Sequence, residues 1–110
     1  MKNKADNKEI YEAIFDVVRC VPKGRVTSYV AIAKAIGLKS GARMVGRAMS
    51  LCEGEKPKVP AHRVVNSSGL LSGEHDSRRK MLEKEGVHIK SGKIADFKTI
   101  FWDPLIEITL

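Results

Sequence analysis

Two short helical periods, separated by a gap that glycine bounds on both sides, occupy residues 27 to 52. Thr27 or Ser28 is placed to cap the first, SYVAIAKAIG, and Gly37 is placed to stop it. After the link Leu38-Lys39-Ser40, a second run from about Gly41 to Cys52 puts Val45, Ala48, Met49 and Cys52 on one face. Neither run is long enough to be a stable helix by itself, so each has to bury its apolar face against the other and against a third element. Two short helices joined by a glycine-containing turn predict a helix-turn-helix.

The flanking sequence supplies that third element. Ile10, Ala13, Ile14, Val17, Val18 and Val21 recur at helical spacing over residues 7 to 21, with Asp6 and Glu9 placed as a capping box and Pro22 as the stop. Residues 53 to 62 hold Pro57 and Pro60 and read as an extended connection, followed by a short extended piece over Arg63 to Asn66 that turns at Ser67-Ser68-Gly69. A last helix is expected from about His75 to Glu85, with Met81 and Leu82 inward and Gly86 as its stop. In the tail from Val87 to Leu110, Phe97, Phe101 and Trp102 are expected against the core. The expected architecture is mainly α, a small winged-helix-like domain. At 110 residues it can bury about two thirds of the surface of its unfolded chain without a metal or a disulfide.

Charge narrows the function. Lys and Arg exceed Asp and Glu by 20 to 13, a net charge of +7, and no acid stands between Cys20 and Cys52. Lys23, Arg25, Lys34, Lys39, Arg43 and Arg47 all fall in that interval, which reads either as a solvated basic face or as a surface for a polyanion. Cys20 and Cys52 lack metal-ligand spacing, no apolar run is long enough to span a bilayer, and residues 1 to 10 lack the apolar core of a secretory signal. The expectation is a reduced cytoplasmic protein, nucleoid-associated if bacterial, without cofactor or metal.

On the helix from Gly41, residues Arg43, Gly46, Arg47 and Ser50 lie opposite the apolar face. A glycine inside a helix costs about 1 kcal/mol relative to alanine, so Gly46 is either a tolerated surface residue or a point of close approach to a groove wall. Tyr29 at the preceding helix start reads as a half-buried aromatic or as a contact to phosphate or sugar. The stretch KVPAHRVVNSSG has the look of a nucleophile beside its base, yet Ala61 offers neither lone pair nor proton.

Taken in order and at their spacing, TSYVAIAKAIG, GARMVGRAM, PAHRVVNSSG and LEKEG resemble the DNA-binding domain of alkylguanine-DNA alkyltransferases, over about residues 8 to 90. In that family a cysteine between the proline and the histidine accepts an alkyl group from guanine O6 after the base is flipped out of the duplex. With Ala61 at that position, the chain resembles the alkyltransferase-like branch, in which tryptophan or alanine replaces the cysteine. The resemblance implies one such domain over residues 1 to 110. It implies that Arg43 fills the space of the flipped base from the minor groove and that Tyr29 rotates the 3′ phosphate. Ala42 and Gly46 would let the helix lie in that groove beside Arg47, and His62 and Glu85 are the vestigial base and its orienting carboxylate. Ala61, Val64 and Ser72 fall at the lesion pocket. Met44 stands where a smaller residue is usual, Cys52 where an asparagine braces the turn, and residues 72 to 76 are shorter than the family's pocket loop.

The function implied is a non-enzymatic sensor that binds O6-alkylguanine in duplex DNA and draws nucleotide excision repair proteins, without membrane association. The alternatives are a helix-turn-helix regulator indifferent to alkylation and a hydrolase using His62 with Glu85. No motif spacing supports the hydrolase.

Overall fold

The computed structural model describes residues 4–38, 41–71 and 76–108. Helix α1 spans Lys4–Arg19. It begins before Asp6, so Asp6 lies in its first turn rather than at the N-cap position expected for it. The physical reason is that Lys, Ala, Lys and Glu around it are good helix formers, and nothing in the segment breaks the ladder. Ile14 and Val18 are fully buried. At the far end the Cys20 and Val21 amides donate to the Val17 and Val18 carbonyls, each at 3.0 Å, a tightened last turn that Pro22 then leaves.

Strand β1 (Thr27–Ser28) leads directly into α2 (Tyr29–Ala35). Ser28 is the cap: its backbone is extended, with φ at −121°, and its hydroxyl accepts from the Ala31 amide at 3.0 Å. Gly37, with φ at +80°, closes α2, and the Leu38 amide donates back to the Ala33 carbonyl at 2.9 Å. Helix α3 runs Ala42–Ser50, with Gly41 as its N-cap, and ends before Cys52 because the Leu51 amide closes a final tight turn on the Ala48 carbonyl. Gly41 is the contact point of the two helices. A Cβ there would lie 2.4 Å from the Cβ of Leu38 and 2.9 Å from that of Ala33, so no side chain fits.

The core has two parts. The larger lies under the helix-turn-helix, where Ile14, Val18, Ile32, Val45, Met49 and Trp102 pack together, with Met44 partly buried against them. The smaller gathers Val26, Val65, Leu82, Val87 and Ile94 beneath a wing formed by β3 (Ile89–Lys90) and β4 (Lys93–Ile94), which pair antiparallel. Leu82 on α4 (Asp76–Lys84) is fully buried, whereas Met81, also expected inward, is 37% exposed. Neighbouring residues on a helix point about 100° apart, so a narrow core seam takes one of them. Trp102 is in the core as expected. Phe97 packs only partly against the smaller cluster, with Phe101 edge-on to it at 5.5 Å.

The chain end is anchored by a residue that the charge pattern placed on the basic surface. Arg25 donates to the carbonyls of Ile100 (2.9 Å) and Phe101 (2.7 Å) and to the Glu107 carboxylate (3.0 and 3.1 Å), which joins the loop after α1 to α5 (Phe97–Ile100) and α6 (Pro104–Glu107). Its guanidinium is thereby committed to the fold.

Candidate nucleic-acid interface and pocket

The site is assembled by a very short parallel ladder. Strand β2 (Val64–Val65) pairs with β1 in the register Thr27↔Val64 and Ser28↔Val65, which sets the start of α2 against the 3₁₀ turn Ala61–Arg63. Tyr29, the first residue of α2, therefore lines a cavity of about 40 Å³ together with His62 and Val64. Ala61 lies on the other side of His62, in an open groove of about 600 Å³ whose walls include Pro60, Met81 and Glu85. Of the three residues assigned to a lesion pocket, Ala61 and Val64 thus face different spaces with His62 between them. Ser72 lies outside the described residues, as does most of the loop 72 to 76.

Glu85 is the centre of the polar network. It follows α4 directly and accepts from Arg63 Nε (3.1 Å) and Nη2 (2.7 Å), from the Gly24 amide (3.2 Å), and pairs with His62 Nε2 at 2.8 Å. A third Arg63 nitrogen reaches the Val21 carbonyl at 3.0 Å. Burial alone would raise the carboxyl, but the hydrogen bonds from Arg63, His62 and Gly24 overcome it and hold it down at about 2. A folded-state value below the ordinary one means that the ionised form stabilises the fold. That contribution is complete above pH 4.5 and is lost as pH falls toward about 2. The Glu85→Gln variant should therefore be less stable than the parent by about 3 kcal/mol at pH 7 in urea titrations. It should also lack most of the parent's stability loss over this acid window, and an unchanged acid slope in the variant would refute the assignment.

Cys52 is no replacement nucleophile. Burial pushes its thiol up, and Sγ donates to the Met49 carbonyl at 3.2 Å rather than reaching the Pro60 turn. Cys20 is half-buried against the larger core.

On α3, Arg43 and Arg47 are exposed, and Ala42 and Gly46 are half-exposed beside them. None of the four lines the cavity or the groove. Lys23 and Lys34 are exposed as well, and Lys39 lies outside the described residues. A Cβ on Gly46 would meet no atom within 4 Å, so the protein's own packing does not require the glycine. Gly46→Ala is expected to raise stability by about 1 kcal/mol while weakening duplex binding. Thermal melts and anisotropy on the same preparation check both halves, and tighter binding would remove the reason for the glycine.

Sequence reasoning missed two groups. From the sequence Arg63 reads only as the start of an extended piece and as part of the Pro-Ala-His-Arg motif, though it supplies two of the hydrogen bonds to Glu85. Arg78 was not singled out at all, yet it lines both the cavity and the groove. Its signal was available: Arg78, Met81 and Glu85 recur at i, i+3 and i+7, one face of a helix. Among the described residues no cluster of His, Cys, Asp and Glu could hold a metal, and no helix is long and apolar enough to cross a membrane.

A basic helix-turn-helix, a short wing, and a Pro-Ala-His-Arg turn held by a half-buried glutamate define a nucleic-acid-binding module built around a small-molecule-sized groove. Over residues 9–87 the sequence matches the family described as 6-O-methylguanine DNA methyltransferase, DNA binding domain, and the chain belongs to that family. It is 38% identical over 95 residues to Alkyltransferase-like protein 1 of Schizosaccharomyces pombe, covering 82% of this chain and 87% of that one. It is 41% identical over 96 residues to a DNA base-flipping protein of Vibrio parahaemolyticus, covering 83% and 93%. The fold superimposes on the S. pombe protein Atl1 in complex with damaged DNA containing O6-carboxymethylguanine, with a TM-score of 0.79 at 33% identity over 93% of this chain and 98% of that one.

Proposed function

We propose that residues 1 to 110 form one alkyltransferase-like domain that binds O6-alkylguanine in duplex DNA, holds the flipped base, and transfers nothing. The observation that carries this reading is the groove at Ala61. The His62–Glu85–Arg63 network that would activate a thiol stands complete beside it, and the position itself carries only a methyl group. In this reading α3 lies in the minor groove through Ala42 and Gly46. Arg43 enters the stack in place of the base, Arg47 neutralises phosphate, and Tyr29 turns the 3′ phosphate of the target nucleotide. Val64 borders the smaller cavity that His62 separates from the groove receiving the base. The Atl1 complex with damaged DNA supports the reading, as does the base-flipping name of the Vibrio relative. A protein that marks a lesion without removing it needs a second activity to complete the repair, and nucleotide excision repair proteins are the proposed partners.

The test is an anisotropy titration of one duplex with and without a methyl group at guanine O6. Selective binding of the methylated duplex is expected, with affinity for both falling steeply between low and physiological salt, because Arg47 and Lys34 act on phosphates and Arg43 adds its charge to the same field. Equal affinity for the two duplexes, with preference set by sequence instead, would make the protein a helix-turn-helix regulator and end this reading.

A further inference from the structure

Four cations line the groove at Ala61, and they are not equivalent. Arg19 is occupied by Asp16 at 3.2 Å, Glu55 at 3.8 Å and the Pro57 carbonyl at 3.0 Å. Arg63 is occupied by Glu85. Lys58 is exposed to solvent, where its charge is screened. Arg78 differs from all three. It is half-buried, no carboxylate lies within 4.0 Å of it among the described residues, and its one hydrogen bond is a long one from Nη2 to the Met49 carbonyl at 3.5 Å. Its field nonetheless reaches the surroundings, since it draws the Cys52 thiol down against the stronger effect of burial. The acid facing it in the groove beyond the Glu85 network is Glu53, which is exposed.

From this arrangement we infer that Arg78 reads the charge of the group carried on guanine O6, so that the groove favours carboxylate-bearing alkyl groups over neutral groups of the same size. The inference rests on the base being received at Ala61. A partly desolvated guanidinium with no acid partner among the described residues gains more from an anion than from an amide, because charge-assisted hydrogen bonds are about twice as strong as neutral ones. Arg78 also stands on the wall shared by the cavity with Tyr29 and the groove with Ala61, so a substituent passing from one space toward the other meets it. Its weak bond to Met49 is readily exchanged for a better acceptor.

The experiment compares four otherwise identical duplexes whose central guanine is unmodified or carries methyl, carboxymethyl or carbamoylmethyl at O6; the last two differ by little except charge. For the parent protein, carboxymethyl should bind about five- to tenfold more tightly than carbamoylmethyl, a range set by charge-assisted bonding and reduced by partial exposure. In Arg78→Gln the ratio should approach one, and in Arg78→Lys it should be intermediate. Because each ratio is taken within one variant, a general loss of affinity does not disturb it. If methylguanine is bound selectively but the two larger groups bind equally, or if the preference survives in Arg78→Gln, the inference is overturned while the function stands. If no modified duplex binds better than the unmodified one, the function itself falls, and the inference with it.

Discussion

Ala61→Cys will acquire a methyl group from duplex DNA containing O6-methylguanine, and the parent protein will not. The installed thiol would stand beside His62, whose Nε2 is already paired with Glu85 at 2.8 Å, and Glu85 is in turn held as a carboxylate by Arg63. With Nε2 engaged by the Glu85 carboxylate, the imidazole is held in place as the base beside the thiol, which can then ionise. Sulfur then attacks the methyl carbon, the S–C bond forms, the C–O6 bond breaks, and guanine leaves with the electron pair and is reprotonated. The transfer should be slow. Cys52 holds the Met49 carbonyl and contributes no hydrogen bond to the turn, and a misplacement of about 1 Å can cost a hundredfold in rate. Intact-mass spectrometry of the variant beside the parent, after incubation with the methylated duplex, reads the outcome. Tight binding by the variant without any mass gain would mean that the groove at position 61 does not receive the alkylated oxygen.

Arg43→Ala is expected to reduce affinity for the methylated duplex by roughly tenfold to a hundredfold, because holding an extrahelical base costs a few kcal/mol once nothing fills its place. The control is Lys8→Ala. Both residues are exposed on helices and both variants remove one positive charge, so any general phosphate attraction is lost to a similar degree. Exposure also makes Arg43→Ala harmless to packing. The discriminating readout is the lesion-to-guanine affinity ratio, which should collapse in Arg43→Ala and survive in Lys8→Ala. Equal behaviour of the two variants would remove Arg43 from the stack.

What could be read in advance depended on how far along the chain the cause lay. The cap at Ser28, the stop at Gly37 and the apolar face Val45, Ala48 and Met49 are set by neighbours within a few residues, and all stand as expected. The error at Met81 has the same local scale: two apolar neighbours compete for one seam, and only the three-dimensional core decides between them. Arg25 was misjudged for a different reason. Its partners lie 75 to 82 positions away, beyond the reach of any periodicity, so a charge that belongs to the fold was counted with the surface. The pairing of His62 with Glu85, 23 positions apart, was anticipated only through family resemblance. Arg78 shares a helix face with Met81 and Glu85, but that spacing does not tell that the face borders a groove, which only the packing of α4 against the Ala61–Arg63 turn creates.

The two-residue ladder between β1 and β2 has a metrical consequence. It couples the backbone before Tyr29 to the backbone after His62 by peptide hydrogen bonds, with Thr27 and Ser28 buried on one side and Val64 and Val65 on the other. The separation between the place where a phosphate would be gripped and the place where a nucleobase would come to rest is therefore a fixed gauge, ruled in main-chain units. Side-chain substitutions along either strand leave that gauge unaltered, whereas inserting or deleting one residue within 64–65 would shift the register by a whole step, about 3.3 Å. On the proposed reading, this main-chain gauge sets the span from phosphate to base that the protein accepts.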